Sequence, residues 1–179
     1  MPQNLELKAT VPSIEKVTRV ARHLHARSKG ILYQQDSYYN IPRGRLKLRI
    51  INRRSAELIL YSRPDKTGSR YSDYVVLPVA NVQQVQTLCE KIFGKTVEVV
   101  KKRRLYLYKN SRIHLDEVRG LGTFIEFEVL VTKGKRQAQH LMSFLREEFC
   151  ISHEALVSCS YSDMLMKRKR STQRQYRLM

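Results

Sequence analysis

The chain has 179 residues, 42% of them hydrophobic, enough for one core, so a single domain is expected. Lysine and arginine number 34 against 16 acidic residues, a formal charge of +18, which points to anionic partners: phosphates, nucleic acid or an acidic surface. Three cysteines without a C-x-x-C pair argue against a disulfide framework or a zinc site and for a reducing compartment; with no signal-peptide core and no run of about 18 apolar residues, a cytoplasmic, non-membrane protein is expected.

Asn4-Leu5-Glu6-Leu7-Lys8-Ala9-Thr10-Val11 alternates with period two, placing Asn4, Glu6, Lys8 and Thr10 on one face of a strand. After Pro12-Ser13, Ile14, Val17, Val20, Ala21 and Leu24 recur at helical spacing, which predicts a helix over 12–28 with Gly30 as its stop. Residues 31–40 read as extended, with Asp36 and Tyr38 on one face. Pro42-Arg43-Gly44 then turns into a strand over 45–51 in which Arg45, Lys47 and Arg49 alternate with Leu46, Leu48 and Ile50. Strands over 56–63 and 70–77 form a hairpin about Pro64-Asp65-Lys66-Thr67-Gly68. Asn81 caps a second helix carrying Val82, Val85, Leu88, Cys89, Ile92 and Phe93, and Gly94 ends it.

Residues 96–108 read as a long strand containing Lys101-Lys102-Arg103-Arg104. Alternate members of that run must face opposite ways, so two can line an interior while two stay outside. In the next strand, 111–118, Arg112, His114 and Asp116 alternate with Ile113 and Leu115. Gly120 and Gly122 bracket the turn into 121–131, where Glu126 and Glu128 share a face opposite Ile125, Phe127, Val129 and Val131. Ala138, Leu141, Met142, Leu145 and Phe149 mark a third helix. Residues 160–166 read as a short docked helix, and 167–179, with six basic and no acidic residues, as a disordered tail.

Charges of both signs at every second position of four strands suggest a sheet curled about a charged interior, its apolar side covered by helices. Carboxylates facing lysines and arginines are what a metal-bound polyphosphate requires: hard oxygen ligands for Mg or Mn, and fixed cations for phosphate oxygens. Two blander arrangements use the same residues. In an open sheet the glutamates simply face water, and in a closed one the opposite charges pair with one another and serve structure alone.

In Asn4-Leu5-Glu6-Leu7-Lys8, Gln35-Asp36-Ser37-Tyr38-Tyr39, Gly44-Arg45-Leu46-Lys47-Leu48-Arg49, Lys102-Arg103-Arg104, His114-Leu115-Asp116 and Gly122-Thr123-Phe124-Ile125-Glu126-Phe127-Glu128, in that order and spacing, the chain resembles CYTH-domain proteins. These form the triphosphate tunnel metalloenzyme superfamily of class IV adenylate cyclases and thiamine triphosphatases, and the cyclase-like branch is the nearer one. The resemblance covers 1–166 and implies an α+β, mainly β fold: a closed eight-stranded antiparallel barrel with helices outside. It implies Glu6, Glu126 and Glu128 as ligands of Mg or Mn, and Lys8, Lys47, Arg49, Lys102 and Arg104 as phosphate contacts, with Arg63 a weaker one. Asp116 becomes a metal-side or cation-positioning carboxylate, so Glu6, Lys8, Asp116, Glu126 and Glu128 make up the catalytic set. The implied activity is hydrolysis of an organic or inorganic triphosphate, or conversion of ATP to cyclic AMP and pyrophosphate.

The family pattern begins Glu-x-Glu-x-Lys, and Asn4 stands where the first glutamate would be, keeping an oxygen acceptor but losing its charge. Asn4 and the excess of basic residues outside the tunnel leave room for a different class of protein, a polyphosphate- or RNA-binding module with weak or no turnover. The tail could serve nuclear import or nucleic-acid binding, or merely solubilise, and a homodimer is one admissible state. For His114 a hydrogen-bonded structural role is expected over a general base.

Overall fold

The computed structural model describes residues 3–64 and 67–177. Eight strands close an antiparallel barrel: β1 (Gln3–Thr10), β2 (Arg27–Tyr39), β3 (Arg45–Ile51), β4 (Ser55–Ser62), β5 (Arg70–Val79), β6 (Lys95–Tyr108), β7 (Ser111–Val118) and β8 (Gly122–Leu130). Their order around the barrel is β1-β5-β4-β3-β2-β6-β7-β8, with β8 returning to β1. Asp65 and Lys66 of the expected β4–β5 turn lie outside the described residues. No described helix is long and apolar enough to cross a membrane.

The period-two alternation works as the sequence suggests. Leu5, Leu7 and Ala9 of β1, Ile113 and Leu115 of β7, and Ile125, Phe127 and Val129 of β8 turn outward and are buried beneath α1 (Ile14–His23) and α3 (Lys135–Glu148). Those helices answer with Ile14, Val17, Ala21, Ala138, Leu141, Met142 and Leu145. Each fully buried aliphatic side chain contributes roughly 1.5–3 kcal/mol, so this outer layer rather than the interior supplies most of the hydrophobic stabilisation. Over β2, β3 and β4, α2 (Val82–Phe93) buries Cys89 against Tyr39, Leu46, Leu48 and Ala56. The three cysteines are free.

Two boundaries differ from the sequence reading. α1 stops at His23 because His25, at φ 53°, takes the left-handed position, and the Ala26 amide donates back to the Ala21 carbonyl at 3.0 Å. Gly30 instead lies inside β2, at the shift in its pairing with β6 between Ser28 and Ile31. At the other end α4 is continuous over Tyr161–Arg177, where residues from 167 on were expected to be a disordered tail; residues 178 and 179 of that tail lie outside the described residues. No glycine or proline interrupts 153–177, and lysine, arginine, glutamine and methionine extend a helix once it has started. Its start is a capping box, in which the Asp163 amide donates to Ser160 Oγ at 3.1 Å and Asp163 Oδ2 accepts from the Ser160 amide at 3.0 Å.

The beginning of α4 enters one end of the barrel. Tyr161 packs there with Tyr38, Val97, Val99, Val118 and Phe124, its ring edge-on to Phe124 at 5.0 Å. Tyr161 and these apolar side chains fill that end of the interior, and the charged residues begin at the Tyr161 ring.

Candidate functional site

The interior encloses a cavity of about 390 Å³. Among the described residues, seven cationic side chains line it (Lys8, Lys47, Arg49, Arg63, Lys101, Arg103, Arg112) with four carboxylates (Glu6, Glu57, Glu126, Glu128). Such a surplus of buried positive charge is stable only with anions nearby, and two buried aspartates supply part of it.

Asp36 on β2 lies opposite Arg49 in the β2–β3 register. It accepts from Arg49 Nε and Nη2, both at 2.8 Å, and from Lys47 Nζ at 3.1 Å. Burial alone would raise Asp36, but Arg49 and Lys47 outweigh it and hold the carboxyl well below its ordinary value. Asp116 on β7 does the same for Arg103, opposite it on β6, and also accepts from the Tyr161 hydroxyl at 3.0 Å. Against burial, Arg103 and Lys101 bring Asp116 down to about 2. Lys101 Nζ stands 3.9 Å from a carboxylate oxygen of each aspartate. Burial, with Arg103 beside it, pulls Lys101 down to about 7, and burial with Arg49 pulls Lys47 down to about 8. Lys8 Nζ sits 3.8 Å from the centre of the Tyr161 ring.

The carboxylates gather where β1, β8 and β7 run side by side. Glu6 faces Glu128 and Lys8 faces Glu126 across β1–β8, while His114 faces Glu126 and Arg112 faces Glu128 across β7–β8. Glu126 lies 3.5 Å from Lys8 and accepts from Arg103 at 3.0 Å; Glu6 accepts from Arg63 at 2.9 Å and Glu128 from Arg112 at 3.2 Å. Burial and then the neighbouring Glu128 and Glu126 raise the Glu6 carboxyl, a sign of crowded negative charge. Asn4 Oδ1 and His114 Nδ1 are buried without a hydrogen-bond partner among the described residues. Ligand atoms of His114, Glu126 and Glu128 lie within 4.8 Å of one another, a donor set that fits a divalent cation, with Glu6 next to Glu128 in the β1–β8 register.

The barrel brings Glu6, Lys8, Glu126, Glu128, Lys47, Arg49 and Arg63 to the cavity, and Asp116 behind it as the partner of Arg103. It does not bring Lys102 or Arg104 there. Both point outward, Lys102 to Glu117 at 3.3 Å and Arg104 to Glu117 at 3.6 Å and Glu15 at 3.8 Å. Lys101 and Arg103 are the inward pair, because β6 already turns Val97 and Val99 inward against Tyr161 and Tyr106 outward into the core beneath α1 and α3. Sequence reasoning also passed over Asp36 and Arg112 as functional groups.

The barrel is shared with solved structures of low sequence identity. The PH1012 protein of Pyrococcus horikoshii superposes with a TM-score of 0.81 at 22% identity, covering 89% of this chain and 98% of that one. A proposed adenylate cyclase of Vibrio parahaemolyticus gives 0.77 at 18% identity, over 90% of this chain and 97% of its own. The proposed adenylyl cyclase HpAC1 of Hippeastrum, described as having a dominant triphosphatase activity, gives 0.66 at 16% identity, over 94% and 96%. No curated protein sequence matches the chain significantly. The sequence profile of the CYTH domain matches residues 2–155, and over that span the chain belongs to the CYTH domain family.

Proposed function

We propose that the protein is a divalent-metal-dependent enzyme acting on a triphosphate substrate held inside the barrel. The observation that carries this reading is the make-up of the interior: Glu6, Glu126 and Glu128 gather on β1 and β8 with His114 beside them on β7, and the same cavity holds Lys47, Arg49, Lys101 and Arg103, the two guanidiniums oriented by the buried Asp36 and Asp116. Asn4 Oδ1, Gln34 Oε1 and His114 Nδ1, all from cavity-lining residues, are buried without a hydrogen-bond partner among the described residues, so polar atoms remain there for a bound ion or ligand to meet.

In this reading Lys8, Lys47, Arg49, Lys101 and Arg103 hold the phosphates, with Arg63 reaching them from beside Glu6. Asp36 and Asp116 fix the guanidinium planes of Arg49 and Arg103, so that no reorganisation is needed as charge builds on the transferring group. Glu6, Glu126 and Glu128 would hold Mg or Mn, whose charge would neutralise phosphate oxygens and polarise the phosphorus they surround. Water as nucleophile gives hydrolysis, and the ribose 3'-hydroxyl of ATP gives cyclic AMP and pyrophosphate. The similarity to the Hippeastrum and Vibrio proteins is consistent with either reaction.

Asn4 favours a second reading, a polyphosphate-binding module with slow or absent turnover, because one carboxylate of the wall is missing. One experiment separates the two: phosphate, pyrophosphate and cyclic nucleotide release from ATP, GTP, thiamine triphosphate and inorganic triphosphate with Mg or Mn. Metal-dependent turnover abolished in Glu126→Gln supports the enzyme. Tight binding without turnover of any substrate supports the module.

A further inference from the structure

We infer that His114 is a nitrogen ligand of the divalent site, and that this gives the site a preference for Mn2+, Co2+ or Zn2+ over Mg2+. The inference deepens the reading of the carboxylate wall as a cation site but does not depend on turnover.

The first observation is spatial. One ligand atom from each of His114, Glu126 and Glu128 lies within 4.8 Å of the others. Nδ1 of His114 is 3.7 Å from Glu126 Oε2 and 3.7 Å from Glu128 Oε1, beyond hydrogen-bond reach of either. Two atoms each about 2.1 Å from one ion stand roughly 3.0–3.6 Å apart for angles between square and trigonal, so a small inward movement closes the set. The ladder makes the grouping rigid: His114 is directly opposite Glu126 on β8, one inward position from Glu128.

The second observation is the state of the imidazole. His114 is 4% exposed, and Nδ1 is buried with no hydrogen-bond partner among the described residues. Buried ring nitrogens are normally satisfied, and a histidine kept only for packing would be better served by a partner or an apolar substitute. Arg112 engages Glu128 through Oε2, so Oε1 remains turned to the ring. Arg103 Nη2 donates to Glu126 Oε2, the oxygen that also faces Nδ1, so an ion held here would share that oxygen with the guanidinium.

The chemistry follows from the mixed donor set. Mg2+ prefers an octahedron of oxygens and its own waters, while imidazole nitrogen raises affinity for Mn2+, Co2+ and Zn2+. Here the ring supplies a strong neutral ligand in the same cross-strand row as Glu126.

The test uses the full chain and the bare ions. Electron spin-echo spectra of the Mn2+-loaded protein should show imidazole nitrogen modulation, which changes when histidine is labelled with the heavy nitrogen isotope; this needs no substitution. Calorimetric titration should show His114→Ala losing about tenfold or more in Mn2+ affinity while Mg2+ affinity falls far less. Absence of nitrogen modulation, or equal losses for the two ions, overturns the inference. A protein that binds neither ion sinks both this inference and the metal-dependent enzyme; nitrogen-bound Mn2+ without any triphosphate turnover keeps this one and removes the other.

Discussion

Arg103 donates two parallel hydrogen bonds to Asp116, Nε to Oδ1 at 2.7 Å and Nη2 to Oδ2 at 2.6 Å, with both side chains sealed from solvent. A planar fork on a carboxylate fixes direction as well as charge, and lysine could not replace it. Asp116→Asn takes from the buried guanidinium the carboxylate of its two-pronged contact and leaves it only the single bond to Glu126, at a cost of about 3–5 kcal/mol. For a chain of this size that is a fall in Tm of roughly 10 °C. A melting temperature within a degree or two of the parent would mean that the pair does not orient Arg103. The same bond sets an acid limit. Asp36 and Asp116 bind fewer protons folded than unfolded between their depressed values and the ordinary 3.8, so stability should fall as pH drops through that window towards about 2. Acid titration of the fold by circular dichroism checks it.

The inward and outward members of the basic run give a direct contrast. Lys101→Gln and Arg103→Lys should each weaken inorganic triphosphate binding by about tenfold or more, since each removes a charge or a fork from the cavity. Lys102→Gln and Arg104→Lys, which meet Glu117 on the outside, should leave it within about twofold. Calorimetric titration of the four variants decides between the two parities, and losses confined to Lys102 and Arg104 would reverse the assignment.

That contrast also shows what was legible in the chain. Glu6, Lys8, Lys47, Arg49, Glu126 and Glu128 could be placed from alternation because each sits between apolar neighbours that turn the other way. Lys101 to Arg104 could not, since four consecutive cations carry no alternation of their own; the facing is set several residues away by Val97 and Val99 against Tyr161. Asp36 and Asp116 were readable as inward-facing, but their partners depend on strand pairing across the barrel, which no local pattern encodes. The end of α1 was misplaced for a related reason, a histidine adopting the left-handed conformation in place of a nearby glycine.

Binding and stability should respond to pH in opposite directions. Lys47 and Lys101, lowered to about 8 and about 7, bind fewer protons folded than unfolded up to the ordinary lysine value of 10.5, so the ligand-free fold gains stability as pH rises through that range. A polyanion favours the charged amines, raises their pKa and takes up protons on binding, so affinity falls over the same range. Between about pH 7 and pH 9, triphosphate affinity should drop by about tenfold or more while the urea midpoint of the free protein increases. Lys101→Met should flatten both curves at their lower end. Affinity that is level with pH would show that these lysines are charged already or do not meet the ligand.

Asn4 is the position where adding a charge should help the ligand and hurt the empty fold. It lies on the inner face of β1 two residues before Glu6, 3% exposed, with Oδ1 unpartnered among the described residues. Glu6 is already raised by burial and by Glu128 and Glu126, so a fourth carboxylate on this wall meets like charge when no cation is present. Asn4→Glu should therefore lower stability in chelator by about 1–3 kcal/mol. With Mn2+ the added charge should tighten ion binding by about tenfold and raise any triphosphate turnover, because carboxylate count is a main determinant of divalent affinity. The two effects oppose each other only if position 4 reaches the ion. A variant less stable in chelator but unchanged in Mn2+ affinity would place Asn4 outside the coordination sphere and leave the wall to Glu6, Glu126 and Glu128.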